Sequence, residues 1–264
     1  INELQEVFPE ILSYKADRCI CLGDYYDKKS LHHTELCFGT SIIKDFVETY
    51  KEFIMLEGNH DKETIKYIEY IGGATVVPHC TSNNDYFGHF FVNESLKSFN
   101  SAKVSLKELD KYRYVFLGHQ HSFQILGNKR YHPGSILWVD FGEVQDTQKC
   151  IFMLDDDKLE IIELKTPIPM IDVSNLKDLE GIKQRTKVRY VIKNFEQLKK
   201  ETNELEKYKN IFYQFKIKLD FDNSPIELET IPKKNINEII NDWLKQIEDK
   251  EVQTELELSF KEER

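Results

Sequence analysis

The sequence predicts an α/β domain followed by a small α+β module. In the first part of the chain, segments with helical spacing of apolar residues alternate with short apolar runs of strand length. Three of these apolar runs end in glycine followed by polar residues, in the stretches "GDYYD", "GNHD" and "GHQH". Ligand sites of open α/β sheets lie outside the carboxyl ends of the strands, so these three stretches are expected to meet at one site.

The composition is typical of a globular protein and excludes several function classes. Of 264 residues, 40% are hydrophobic and 31% are charged, and no apolar run approaches the ~20 residues of a membrane-spanning helix. The five cysteines are scattered without a CxxC pair, which predicts reduced thiols in a cytoplasmic protein. A net charge of -10 argues against a protein covered in positive charge but permits one local basic face.

Residues 1–165 are predicted to form the first domain. "ELQEVFPEIL" and "ELCFGTSIIKDFVETY" have helical spacing, and "ADRCICLGD", "KEFIMLEGNHD" and "DKYRYVFLGHQH" each contain a buried strand. Three further stretches are predicted to be antiparallel strands that complete the domain: "YHPGSILWVDFG", "KCIFMLD" and "KLEIIELK".

Residues 166–225 are predicted to form a second, smaller domain. "TPIPMIDV" carries two prolines and is interpreted as a linker, and a strand, a helix and a strand follow in "KVRYVIKNF", "EQLKKETNELEKYK" and "FKIKLDF". Residues 183–218 contain eleven Lys or Arg against four Asp or Glu. This basic face predicts phosphate contacts with DNA, and the alternative is a merely solvated surface. The candidate DNA-binding residues are Lys187, Arg189, Lys193, Lys216 and Lys218.

Residues 226–264 are predicted to form a C-terminal helical segment. "NINEIINDWLKQIED" places apolar residues at helical spacing. Such a face can dock in a partner groove or pack on its own domain, and both interpretations remain open. The candidate partner-binding residues are Ile239, Ile240, Trp243, Leu244 and Ile247.

The three polar stretches carry side chains that suit a metal centre. Asp24 follows a strand and a glycine, so its carboxylate can bridge two ions, although a turn or helix cap would use the same residue. Asn59 offers an amide oxygen, His60 an imidazole and Asp61 a carboxylate that can orient that imidazole. On an extended segment His119 and His121 project to the same side. Imidazoles mixed with oxygen ligands suit Mn²⁺, and Mg²⁺ is the second choice.

In this order the stretches resemble the signature of calcineurin-like metallophosphoesterases: GDxxD, GNHD, a lone histidine and GHxH. The resemblance implies a β-sandwich flanked by helices and two divalent metal ions. It makes Asp24 the bridging ligand and His60 the transition-state residue. It assigns Asn59 and His119 to one ion and His121 to the other. The lone histidine is best matched by His89 in "YFGHFFVNES", with His79 in "VVPHC" as its rival.

"YHPGSILWVDFGE" is similar to a segment of SbcD-like nuclease subunits, which repair DNA double-strand breaks in bacteria, archaea, eukaryotes and large phages. This resemblance implies Mn-dependent 3′-to-5′ exonuclease and single-strand endonuclease activity in DNA repair and recombination. It also implies an SMC-like ATPase partner of the SbcC type, with the nuclease as a homodimer within a heterotetramer. The location that it implies is the nucleoid, or the host cytoplasm for a phage protein. Residues 166–225 would be the DNA-capping domain and residues 226–264 the ATPase-binding segment.

The sequence departs from that family at its beginning. The family opens with a strand that ends in Asp-x-His, whereas this sequence starts at what would be the following helix, so we expect the first strand to be missing from the recorded chain. Two other functions compete with the nuclease. One is a general two-metal phosphodiesterase or phosphatase, and the other is a non-catalytic scaffold that binds DNA and the ATPase.

Overall fold

The computed structural model describes residues 2–26, 31–61, 64, 68–95 and 104–221. Residues 1–220 form one compact unit. The candidate partner-binding residues 239–247 and the predicted segment 226–264 lie outside the described residues. The boundaries predicted at 165 and 225 stay predictions.

The described residues form a mixed α/β structure of four helices and thirteen strands. The helices are α1 (Leu4–Ser13), α2 (His33–Thr49), α3 (Leu176–Leu179) and α4 (Phe195–Leu205). The strands are β1 (Arg18–Cys21), β2 (Glu52–Leu56), β3 (Thr75–Val77), β4 (Cys80–Ser82), β5 (Asp85–Gly88), β6 (Val115–Leu117), β7 (Gln124–Gly127), β8 (Arg130–His132), β9 (Cys150–Asp155), β10 (Lys158–Glu163), β11 (Met170–Val173), β12 (Lys187–Ile192) and β13 (Gln214–Leu219). Short helical turns lie at Ile68–Gly72, Leu106–Leu109, Phe141–Glu143 and Glu206–Tyr208.

The first sheet is parallel and has the order β1-β2-β3. Helices α1 and α2 supply its apolar partners, and Val7, Ile43 and Met55 are fully buried in the shared core. This arrangement confirms the predicted alternation of helices and strands in the first 56 residues. Parallel pairing brings the ends of β1 and β2 to one edge of the sheet, where "GDYYD" and "GNHD" begin.

The second sheet has the order β4-β5-β6-β8-β7, and β6 lies at its centre. All three residues of β6 are buried, as the apolar run "VFL" predicts. Strands β5 and β6 are parallel, with Gly88 opposite Leu117, and the Gly118 amide donates to the Gly88 carbonyl at 2.8 Å. The residues that follow these two strands, His89 and His119, therefore start side by side.

Two stretches were predicted wrongly. In "YHPGSILWVDFG" only Tyr131 and His132 belong to a strand, β8, because Gly134 at φ +80° turns the chain away and the stretch ends in the helical turn Phe141–Glu143. In "TPIPMIDV", interpreted as a linker, Met170–Val173 forms β11 and pairs in parallel with β12. The two prolines lie before this strand, and their presence made the whole stretch resemble a linker. The predicted antiparallel pair β9-β10 is confirmed.

The third sheet is parallel and has the order β11-β12-β13. The strand predicted in "KVRYVIKNF" is confirmed as β12, and Val188, Tyr190 and Ile192 are buried in a core of their own. The predicted alternation with exposed residues fails, because Lys187 and Val191 on the opposite face are buried as well. The predicted helix after it is α4, so the strand-helix-strand module exists and gains β11 as an additional strand. On β13, which is an edge strand, Ile217 and Leu219 are exposed.

A buried histidine gives this fold a predicted pH dependence. His132 Nδ1 donates to the Leu117 carbonyl at 2.8 Å, and His132 Nε2 lies 2.7 Å from Ser95 Oγ. Burial lowers the pKa of His132 from 6.5 to about 4. Because the unfolded chain takes up this proton below pH 6.5 and the folded chain does not, stability falls as the pH falls through that window. From pH 7 to pH 5 we expect a loss of about 2 kcal/mol from this group.

Urea unfolding at the two pH values measures this loss. The His132→Gln variant should lack that part of the pH dependence, whereas the exposed His33→Gln variant should retain it. Equal pH dependence in wild type and His132→Gln would contradict the assignment.

No helix among the described residues is both long enough and apolar enough to cross a membrane.

Candidate metal centre

Asp24 lies at the centre of the site, immediately after β1. The Asp24 carboxylate accepts a hydrogen bond from the His60 amide through Oδ1 at 2.9 Å, and Oδ2 lies 3.1 Å from His89 Nε2. Burial alone would raise the pKa of Asp24, but the adjacent His89 ring and the hydrogen bond from the His60 amide lower it below its ordinary value. Asp24 is therefore ionised and half-buried, as a metal-bridging carboxylate must be.

The glycines before these polar residues allow the chain segments to approach closely. Gly23 has φ +89°, and a Cβ there would lie 2.6 Å from His89 Nδ1. A Cβ on Gly58 would overlap the backbone nitrogen and Oδ1 of Asp24. The glycine at the end of each predicted strand is thus required by the packing of the site.

His89 faces Asp24 with a fixed tautomer. Its Nδ1 lies 2.6 Å from the Leu22 carbonyl, which can only accept, so Nδ1 carries the hydrogen. The lone pair of Nε2 then meets Asp24 Oδ2 at 3.1 Å and Asn59 Oδ1 at 3.3 Å. Three acceptor atoms that converge in this way require a cation or a proton between them. This donor set fits a divalent metal ion.

His119 completes the group. Its Nδ1 lies 4.0 Å from Asp24 Oδ2 and is a buried nitrogen without a hydrogen-bond partner in the part of the chain that the structure describes. Burial and the neighbouring His89 lower the pKa of His119, which keeps the imidazole neutral as a ligand. Ligand atoms of Asp24, His89 and His119 all lie within 4.8 Å of one another.

His121 has a different neighbour. Its Nδ1 lies 3.4 Å from Glu143 Oε1, and the hydrogen bond between them raises the pKa of His121. Burial would raise the pKa of Glu143, but the His121 hydrogen bond and the Lys149 charge hold it at about 2. His121, Asp140 and Glu143 form a second group whose ligand atoms lie within 4.8 Å. The sequence reasoning missed Glu143, although "FGE" was one of the signals for the nuclease branch.

Asp61 has a structural role that the sequence did not predict. Its carboxylate is fully buried and accepts hydrogen bonds from the Tyr25 amide at 3.0 Å and the Tyr26 amide at 2.9 Å. Burial raises the pKa of Asp61 despite these two bonds. Asp61 thereby anchors the loop that carries Asp24. The catalytic roles of His60 and of Asp61 stay predictions. His79, the rival candidate for the lone histidine, stacks on Tyr86 with 5.8 Å between the ring centres.

A cavity of about 1450 Å³ adjoins the metal-site side chains. Its lining includes Asp24, His60, His89, His119 and His121 together with apolar residues of the first two sheets. The candidate ligands are therefore accessible from a cavity rather than sealed in the core.

The candidate DNA-binding residues divide into two sets. Lys187 is buried, and its Nζ lies 2.7 Å from both Glu3 Oε2 and the Trp138 carbonyl. Arg189 pairs with Asp172 at 2.6 Å. The second set is exposed: Lys193, Lys216 and Lys218.

The basic face of the third sheet meets the turn that carries Glu143. The Arg189 guanidinium lies 5.0 Å from the centre of the Phe141 ring, and Lys216 Nζ lies 5.6 Å from it. Phe141 is two residues from Glu143 in the same helical turn. Phe141 and Glu143 therefore connect the basic face of the third sheet to His121.

Comparison with known proteins assigns the chain to a family. A family model described as calcineurin-like phosphoesterase matches residues 1–192. A search of curated proteins found no match. Members of this family use divalent metals, and the donors around Asp24 fit such ions. The chain therefore belongs to the calcineurin-like phosphoesterase family, whose members are metal-dependent hydrolases.

Proposed function

We propose that this chain is a Mn²⁺-dependent DNA phosphodiesterase, the SbcD-type nuclease subunit of a complex with an SMC-like ATPase. The observation that carries the proposal is the convergence of Asp24, His89 and His119 from the ends of β1, β5 and β6. These side chains are far apart in the sequence, and ordinary polar turns would not bring them together.

The residues of the proposed metal centre have separate roles. Asp24 would hold both ions, with Asn59, His89 and His119 as further ligands of one and His121 as a ligand of the other. When bound, two divalent ions lower the pKa of a bridging water and neutralise charge on the phosphate. His60 stabilises charge on the leaving oxygen or protonates it. Neutral imidazoles beside carboxylate and amide oxygens favour Mn²⁺, with Mg²⁺ as the alternative.

The exposed lysines support DNA as the substrate. Lys193, Lys216 and Lys218 lie on the basic module, although Lys218 also pairs with Asp220 at 2.9 Å. Lys216 lies against Phe141, whose turn leads to His121 through Glu143. A duplex bound through its phosphates on this face would lie beside the metal centre.

The partners rest on the sequence resemblance. In this proposal residues 166–225 cap the DNA, and residues 226–264 bind the coiled-coil base of the ATPase. Two nuclease subunits form a homodimer within the heterotetramer. The complex processes DNA ends in repair and recombination.

A substrate comparison tests the nuclease assignment. The triple variant Lys193→Gln, Lys216→Gln, Lys218→Gln should lower Mn²⁺-dependent hydrolysis of duplex DNA about 10-fold or more at physiological salt, because phosphate contacts are lost. Hydrolysis of bis-p-nitrophenyl phosphate should be unchanged, because this small ester needs only the metal centre. Initial rates on both substrates measure the effect.

His60→Ser is the catalytic control. It should abolish hydrolysis of both substrates and leave DNA binding intact. If the triple variant retained its full rate on duplex DNA, a general two-metal phosphodiesterase would be the better assignment.

A further inference from the structure

A buried ionic network lies behind His121. Glu143 is fully buried and Lys149 is 2% exposed, and Lys149 Nζ donates to Glu143 Oε2 at 2.5 Å. Lys149 Nζ also lies 2.8 Å from Asp146 Oδ2 and 3.2 Å from the His121 carbonyl. Buried charges of this kind are costly unless they are paired, so their presence next to a candidate ligand requires an explanation.

The contacts of Glu143 favour a role in orienting a ligand over direct coordination of an ion. Its Oε1 accepts from the Val139 and Asp140 amides, both at 3.2 Å. Its Oε2 accepts from Lys149 and lies 2.9 Å from Ser135 Oγ. These donors occupy the carboxylate, which leaves it suited to receive a hydrogen from an imidazole at its edge.

The position of the hydrogen on the His121 ring follows from the chemistry of the carboxylate that it faces. An ionised carboxylate can only accept, so the Nδ1 of His121, 3.4 Å from Glu143 Oε1, carries the hydrogen. The lone pair of the neutral ring is then on Nε2. The same device fixes His89, whose Nδ1 donates to the Leu22 carbonyl. Ligand histidines are commonly oriented in this way by a carboxylate or a carbonyl.

We propose that Glu143 is a positioning residue that fixes His121 with Nε2 presented to the second cation, and that Lys149 holds Glu143 and the His121 carbonyl in place. The inference deepens the proposed function and rests on its assignment of His121 to a metal ion. Lys149 therefore holds in place both Glu143, which faces the His121 ring, and the backbone carbonyl of His121. The role is distinct from that of Asp24, which contacts the ion directly.

The first test needs no variant. Metal-free wild-type protein labelled with ¹⁵N-histidine is studied by NMR at alkaline pH, where the imidazole is neutral. We expect His121 as the tautomer with hydrogen on Nδ1. A His121 ring with its hydrogen on Nε2 would overturn the inference, whatever the enzyme hydrolyses.

The second test measures Mn²⁺ binding calorimetrically in the Glu143→Gln variant. Loss of an orienting carboxylate should weaken Mn²⁺ binding at the site that includes His121 about 10- to 100-fold and reduce the population of the Nδ1–H tautomer. The matched control is Asp85→Asn, which disturbs another buried ion pair, with Arg113 at 2.7 Å, that includes no candidate ligand histidine.

The outcomes separate the two claims. Unchanged Mn²⁺ affinity in Glu143→Gln, or an equal loss in Asp85→Asn, would overturn the positioning role. Failure of the wild-type chain to bind Mn²⁺ would instead count against the proposed function.

Discussion

Asp24→Asn should abolish phosphoesterase activity while leaving the fold intact. Asn has nearly the same shape as Asp, and both tolerate the left-handed backbone of this position, φ +52°. The neutral amide cannot replace the anionic bridge that the proposed two-metal site requires, and Asp24 faces His89 at 3.1 Å and His119 at 4.0 Å. We expect a fall in kcat/KM of at least about 10³-fold, or roughly 4 kcal/mol of transition-state stabilisation. Hydrolysis of bis-p-nitrophenyl phosphate with Mn²⁺ measures it.

Asp156→Asn is the matched control for this change. Asp156 also has a left-handed backbone, φ +47°, but it is exposed in the turn between β9 and β10. Its variant should retain wild-type activity and Mn²⁺ affinity. If Asp24→Asn hydrolysed the ester as fast as Asp156→Asn, the non-catalytic scaffold would become the better description of the chain.

Among the substitutions proposed for this protein, Lys149→Met should cause the largest decrease in the free energy of unfolding. Methionine fills a similar volume but leaves the buried carboxylates of Glu143 and Asp146 without their cation. Removal of one partner from a buried ion pair typically costs about 3–5 kcal/mol. The midpoint of urea unfolding, followed by far-UV circular dichroism, should fall accordingly.

Lys51→Met provides the comparison on the surface. Lys51 pairs with Asp17 at 2.7 Å, yet both side chains are about 80% exposed, so solvent screens their attraction. This variant should unfold at nearly the wild-type midpoint. A Lys149→Met protein that matched it would show that the buried network contributes little to stability.

Much of the first domain could be predicted from apolar patterning. Helices α1 and α2 and strands β1, β2 and β6 are marked by periodicity and by the glycine that ends each strand. The stretch after His132 was not predictable in this way, because Gly134 at φ +80° redirects the chain and burial does not alternate along it, with Trp138 and Phe141 buried and Val139 exposed. Strand β11 was missed because its four residues become recognisable only by pairing with β12.

The metal centre was predictable as residue types, but its supporting contacts were not. Asp24, Asn59, His89 and His119 share the property of following a strand end, which is visible in the sequence. The link between His121 and Glu143 joins residues 22 positions apart across a turn. The predicted exposure of Lys187 fails in the structure because the amine meets Glu3 and Trp138, near neighbours only in three dimensions.

Two of the candidate ligands, Asp24 at φ +52° and His119 at φ +75°, have a left-handed backbone conformation that glycine adopts most readily. Such a conformation typically costs about 1–3 kcal/mol per residue, and glycine avoids most of that cost. Laboratory selection for heat resistance alone would therefore favour glycine at both positions. The most thermostable variants from such a selection would therefore have lost phosphoesterase activity.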